Sequence, residues 1–449
     1  MTKRIITIAL VALLLLSALT ALSACSVPEN EDGESQDTGV TTLYVYNWGE
    51  YISDGSDDCL DANKAFEEWY ESTYHKKVRV NYSTFSSNEE MYAKVTSGAV
   101  NYDVIVPSDY MIARLIDDNG VCHLRPLNKD NFENLGNLNS DFYGPDATYD
   151  YYDEGNVYSI PYFYGMIGII YNTKMVTPAP DHSWALMWDT KYAGNILQFN
   201  NSRDALGSAQ YALGIDVNTD DEEQWKAALE KLKVQKPILQ GYVMDEIYNK
   251  MQNGSAAIAA YYAGDYLTMY EAMLEIQHQK ICGDVEECAE ACLDPSVESL
   301  EFYYPKEGTN LYVDAMCIPK SSKNPEIAER YIDFMLSEEP AVANALYTYY
   351  ASPNDVVRNS EEYIEGMADI KDNAYDLIYT NPREIGEKGA TYYENLTPEK
   401  LALINELWEE LKSDAQVSAP LYIICGVIVA AIAAFAIFFA IRRKKRAIY

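Results

Sequence analysis

The stretch that decides the fold is residues 42–107, which opens TLYVYNWGEY (42–51) and closes YDVIVP (102–107). Residues 42–46 alternate and are apolar enough for a strand. Residues 57–73 have helical periodicity, 78–82 read as a second strand, 87–97 as a helix and 104–106 as a buried third strand. This β-α-β-α-β order predicts a parallel or mixed sheet with helices on both faces. In open α/β sheets ligands bind beyond the carboxyl ends of the strands. Trp48 and Tyr51 follow the first strand; Ser108 and Tyr110 follow the third. Downstream, 159–171 read as strand pieces, 183–191, 203–213 and 221–233 as helices, and 297–304 and 311–318 as strands. A helix over 325–336 carries proline in its first turn.

The ends of the chain set its context. Residues 1–24 have Lys3 and Arg4, an apolar run, and then Leu22-Ser23-Ala24 before Cys25, the pattern of a secretory signal. Leu-Ser-Ala-Cys resembles a bacterial lipobox, with Cys25 as the lipidated first residue of the mature protein. Residues 25–40 read as an acidic tether. Residues 413–420 read as a second linker and 421–441 as an apolar run long enough to cross a bilayer. The basic tail 442–446 (within 442–449) would remain cytoplasmic, which places the large domain on the external face.

Composition narrows the class further. The chain has 34 Lys and Arg against 69 Asp and Glu, a net charge of −35. Such a surface repels nucleic acid and draws cations from a distance. The length of 41–412 suits two lobes, because single cores seldom exceed ~250–300 residues. Beyond Cys25 and Cys425, six cysteines remain: Cys59, Cys122, Cys282, Cys288, Cys292 and Cys317. An even number outside the cell permits disulfides, of undetermined pairing. The spacing of 282, 288 and 292 fits no zinc pattern, and no metal or cofactor is assigned. His75, His123, His182 and His278 sit in no nucleophile or metal motif, and a Gly-x-Ser-x-Gly elbow, His-Glu-x-x-His and P-loop are absent. No catalytic residue is assigned. The Asp216-x-Asn218-x-Asp220 run lacks the glycine and final glutamate of a calcium loop.

Tyr, Trp and Asp at strand ends suit an organic polycation. Aromatic faces cover methylenes and attract ammoniums, at ~0.5–2 kcal/mol each. Carboxylates add charge-assisted hydrogen bonds. Trp48, Tyr51, Tyr110, Tyr262, Tyr312 and Tyr350 could supply faces, and Asp204 and Asp314 charge.

YNWGEY, SSNEEMYAKV, YDVIVPSDYMI, SIPYFYG, SWALMWDTKYAGNI, and YPKEG with YVDAMCIPKSSKNPE resemble bacterial spermidine/putrescine-binding proteins, the substrate-binding components of ABC importers. The resemblance covers about residues 42–412, with an apparent insertion at 280–295. It implies a two-lobed α/β periplasmic-binding-protein fold (type II) with the ligand cleft between lobes, to which the terminal run would add a transmembrane helix. It implies a monomer that binds putrescine or spermidine and docks on ABC permease subunits at the membrane. It implies ligand contacts at Trp48, Tyr51, Ser108, Tyr110, Asn201, Asp204, Tyr262, Tyr312, Asp314 and Tyr350, with Glu394 as the candidate for a final polar contact. Gly49 stands where threonine is common, Asn201 where aspartate is often found, and Tyr262 and Tyr312 where tryptophans stack. With Asn201 neutral, two clear carboxylates remain rather than three, a count that suits a diamine at least as well as a triamine. The alternatives are a ferric-iron binder of the same fold using pairs such as Tyr261-Tyr262 and Tyr349-Tyr350, an external enzyme, and a structural or adhesive surface protein.

Overall fold

A computed structural model of the protein describes residues 39–56, 59–283, 299–386 and 389–413. Its strands are β1 (Val40–Trp48), β2 (Lys77–Phe85), β3 (Val104–Ile105), β4 (Ser159–Asn172), β5 (Ile196–Phe199), β6 (Leu239–Val243), β7 (Ile258–Tyr262), β8 (Leu300–Tyr303) and β9 (Leu311–Cys317). They are hydrogen-bonded in the order β2-β1-β3-β9-β4-β7-β5-β6, with β8 on β4.

Two sheets share β4. Residues 159–166 of β4 run antiparallel to β9, which joins β3 at Ile105↔Cys317; β3 in turn runs parallel to β1. From Ile167 onward β4 changes partners to β7 and β8, and β7 leads to the parallel strands β5 and β6. One lobe is therefore built on β1–β3 and the other on β5–β8, with β4 and β9 as the crossing strands. All fourteen residues of β4 are buried. Burial on both faces explains why SIPYFYGMIGII is almost continuously apolar instead of alternating.

Caps chosen by short polar side chains start the helices. Asp61 accepts from the Lys64 amide ahead of Ala62–Tyr74, Ser87 from Glu90 ahead of Asn88–Ser97, and Asn201 from Asp204 ahead of Ser202–Leu213. Each satisfies an amide that has no partner inside the helix, a contribution of about 1 kcal/mol. The expected helix over 183–191 is instead two short 3-10 turns, Trp184–Trp188 and Thr190–Tyr192. Asp189 caps the second turn and so interrupts a continuous helix. The indoles pin the segment, Trp184 Nε1 donating to Gly308 O at 2.8 Å and Trp188 Nε1 to Lys231 O at 2.9 Å.

The expected transmembrane element is corrected. Among the described residues no helix is long and apolar enough to cross a membrane. The helix Ala263–Cys282 has 20 residues, but it carries Asp265, Glu271, Glu275 and Lys280. Residues 421–441 lie outside the described residues, and the fold of the described residues is the two-lobed α/β architecture. The signal segment and Cys25 also lie outside them. Cys59, Cys122 and Cys317 are free thiols, Cys282 is disulfide-bonded, and Cys288 and Cys292 are outside the described residues.

Candidate functional site

The site is assembled at strand ends. Trp48 ends β1 and Tyr51 lies just beyond it. Ser108 precedes the helix Asp109–Ile116, and Tyr110 is in its first turn. Asn201 and Asp204 open the helix that follows β5. Tyr262 ends β7 and leads directly into Ala263–Cys282. Tyr312 and Asp314 come from β9, and Tyr350 follows the helix Glu338–Thr348. These ten residues line one cleft, whose empty space, open mouth included, is about 810 Å³.

The cleft also holds residues that the sequence reading did not select: Glu89, Asp109, Asp245, Tyr248, Asp265 and Tyr393. Six carboxylates line it (Glu89, Asp109, Asp204, Asp245, Asp265 and Asp314), and no lysine, arginine or histidine does. A signal for two of them was available. Asp109 and Asp265 are first-turn acids of helices that follow strands, as Asp204 is. A helix N-terminus favours a carboxylate there through its unpaired amides and dipole. Glu394 is exposed and outside the cleft; its backbone N–H donates to Asn218 Oδ1 at 2.9 Å, while the neighbouring Tyr393 turns inward. Asn218 also accepts from Arg203 Nη2 and donates to Tyr392 O, so the 216–220 run serves as a structural turn.

Tyrosine hydroxyls hold five of the six carboxylates, with Tyr151 donating to Asp109 and Tyr110 to Glu89. Tyr51 donates to Asp314 Oδ2 at 2.7 Å. Tyr262 donates to Asp204 Oδ2 at 2.7 Å, and Asn201 Nδ2 adds a second bond to the same oxygen at 2.7 Å. Tyr350 donates to Asp265 Oδ2 at 2.7 Å and Tyr248 to Oδ1 at 2.5 Å. Asn88 organises the segment that follows β3, its Nδ2 donating to both Ser108 Oγ and Tyr110 Oη, while Tyr110 donates to Glu89.

Four rings form one continuous wall, Tyr51 to Tyr350 to Tyr312 to Tyr262, while Trp48 packs separately on Phe85. Tyr51 meets Tyr350 edge-on at 4.9 Å, Tyr262 meets Tyr312 at 5.3 Å, and Trp48 tilts against Phe85 at 4.4 Å. The wall needs Gly165 at the β4 crossover, because a Cβ there would fall 2.5 Å from Tyr312 Oη.

These acids lack a countercharge in the cleft, and burial therefore disfavours their ionised forms. Burial pushes Asp314 up to about 6, against the pull of the Ser108 and Tyr51 hydroxyls. It pushes Asp265 and Asp109 up to about 7. Asp204 and Glu89 are raised by burial as well. Asp314 Oδ1 and Tyr312 Oη are buried without a hydrogen-bond partner. A desolvated anionic site with unused acceptors is complementary to a cation that brings several N–H donors.

Fold and site together define a two-lobed binder of cationic solutes. The chain matches the bacterial extracellular solute-binding protein family over residues 62–370, and it belongs to that family. It is 29% identical to the spermidine/putrescine-binding periplasmic protein of Escherichia coli (strain K12) over 320 residues, 71% of this chain and 79% of that protein. It is 27% identical to the putrescine/cadaverine-binding protein of Pseudomonas aeruginosa over 391 residues, 85% of this chain and 96% of that protein. Among solved structures, the spermidine/putrescine ABC transporter substrate-binding protein PotD of Streptococcus pneumoniae is similar at 30% identity and a TM-score of 0.60, covering 83% of this chain and 98% of that one. A structure from Listeria monocytogenes reaches a TM-score of 0.66 at 30% identity, covering 83% and 99%.

Proposed function

We propose that this protein is the extracytoplasmic substrate-binding component of an ABC importer, and that it captures polyamines such as putrescine and spermidine. The observation that carries the reading is the cleft wall itself: six carboxylates, eight tyrosines and Trp48, with no basic side chain. Each ammonium replaces its lost hydration with charge-assisted bonds to carboxylates, and aromatic faces cover the methylenes between. The lobes close over the ligand by hinge motion, and the closed form docks, as a monomer, on the permease. The proposed contacts are the ten residues named from the sequence, with Asp265 and Tyr248 added.

The iron alternative fits the cleft less well. Tyr262 and Tyr350 commit their hydroxyl protons to Asp204 and Asp265. Burial also holds both phenols well above their ordinary pKa, which opposes phenolate ligation. Lipid attachment at Cys25 is proposed on the Leu22-Ser23-Ala24-Cys25 pattern. Acyl mass on the mature N-terminus that is lost in Cys25→Ala would support it; a free cysteine there would end it.

The deciding experiment is calorimetric titration with putrescine, spermidine, spermine and cadaverine. Micromolar or tighter binding to at least one of them is expected. A folded protein that binds none refutes the polyamine reading.

A further inference from the structure

We infer that Asp245, together with Asp265, forms an outer ammonium subsite that selects polyamines carrying a third ammonium over diamines; the inference rests on the polyamine reading above. Asp245 follows β6 in one lobe, and Gly49 follows β1 in the other. Both line the cleft. A Cβ built on Gly49 would lie 3.2 Å from Asp245 Oδ2, tighter than an ordinary van der Waals contact. Gly49 is not in the left-handed region, so its backbone does not demand glycine. What the missing side chain provides is room for the Asp245 carboxylate at the cleft wall.

Asp245 also differs from the other five cleft acids, each of which accepts from a tyrosine hydroxyl. Asp204, Asp265 and Asp314 are nine-tenths or more buried and are bound by tyrosine hydroxyls. Asp245 is exposed, and its side chain caps no amide of the helix Glu246–Gln252. Its carboxylate is thus free to take a ligand proton donor without breaking an internal bond.

The acids divide into two electrostatic groups. Asp314 feels Asp204, and Glu89 feels Asp204; Asp265 instead feels Asp245 and Glu50. Tyr312 lies between the groups, feels both Asp314 and Asp265, and has an unpartnered buried hydroxyl. Glu50 belongs to the lobe of Gly49, so closing the lobes sets like charges against each other at the outer group. A diamine that neutralises the inner acids leaves that repulsion in place. A third ammonium removes it and gains two carboxylate partners, Asp265 and Asp245.

The test is calorimetry on the purified full-length chain with putrescine and spermidine, for the native sequence, Asp245→Asn and Gly49→Ala. The native chain is expected to bind spermidine about tenfold or more tightly than putrescine, the ratio that one charge-assisted bond supplies. Both variants should cut spermidine affinity about tenfold and leave putrescine within about threefold. Gly49→Ala acts by crowding the carboxylate and Asp245→Asn by discharging it, so agreement between them separates the subsite from a folding defect. Equal loss for both ligands, or no change in either variant, overturns the inference while leaving the polyamine reading intact. Binding of neither ligand by the folded native chain overturns both.

Discussion

The ring of Tyr350 lies directly against Gly264, so closely that a Cβ on that glycine would fall 2.5 Å from Tyr350 Cδ2. The contact couples two strand-end features. Gly264 is in the first turn of the helix that carries Asp265, and Tyr350 donates its hydroxyl to Asp265 Oδ2. The glycine therefore sets the position of both the ring and the carboxylate it holds.

Gly264→Ala should displace the Tyr350 ring and break its bond to Asp265. Overpacking of this kind costs about 1–3 kcal/mol of stability. Spermidine affinity is expected to fall about tenfold or more, given the worth of a bond to a charged group. Denaturant unfolding and calorimetry on the same preparation check both numbers; unchanged affinity would show that the Tyr350–Asp265 contact is incidental to binding.

Asp314→Asn should separate stability from function. The carboxylate is buried beside Tyr51 with one oxygen unpartnered, so discharging it relieves a desolvation cost in the empty cleft. The melting temperature of the ligand-free protein is expected to rise or hold. Ligand affinity should drop by about 10- to 150-fold, the equivalent of ~1.5–3 kcal/mol. A variant that melts lower and still binds normally would contradict this assignment.

Stability of the ligand-free protein should fall as pH rises from about 4 to about 7. Asp314 is raised to about 6 and Asp109 and Asp265 to about 7 in the folded state, above the unfolded carboxylate value of ~3.9. In this window the folded state binds more protons than the unfolded state, so the slope of stability against pH is negative. Their contribution is complete below about 4 and lost as pH passes through 6 and 7. Ligand binding has the opposite trend, because ammoniums require ionised partners. Affinity should strengthen through the same window, with proton release below its top. Melting curves against pH, and calorimetry in two buffers of different ionisation enthalpy, test the two signs separately.

Asn201→Ala should remove the cap of Ser202–Leu213, where Asn201 Oδ1 accepts from the Asp204 amide at 2.8 Å, and cost about 1 kcal/mol. It also removes a donor to Asp204 Oδ2, which raises the Asp204 pKa further. Asn201→Asp keeps the cap but faces Asp204 with a like charge. It should add a proton to the ligand-free cleft, visible as greater proton release on polyamine binding. Equal proton release in Asn201→Asp and the native chain would contradict that coupling.

Local signals in the sequence carried most of the architecture. The β-α-β-α-β order of 42–106, the helix opening at Ser87 and the apolar run that became β4 all depend on periodicity between near neighbours, whereas the caps Asp61 and Asn201 were not read as helix starts, the expected helices having begun at 57 and 203. Trp48, Tyr51, Ser108 and Tyr110 were legible because strand ends are marked in the chain and ligands bind beyond them, whereas Asp204 and Asp314 came from the family resemblance, Asp314 lying within β9. What a single chain reading cannot supply is which strand ends meet. Asp245 and Gly49 are 196 positions apart, and only the pairing of β4 with both sheets brings their lobes together. The carboxylate count changed with it, from the two expected to six around one cleft. Burial, and hence the near-neutral pKa of Asp109, Asp265 and Asp314, is a property of everything packed around a group. The sequence alone determined the elements and the kind of ligand chemistry. Tertiary structure decided which acids share one desolvated space, because charge and solvation act through distance in space rather than along the chain.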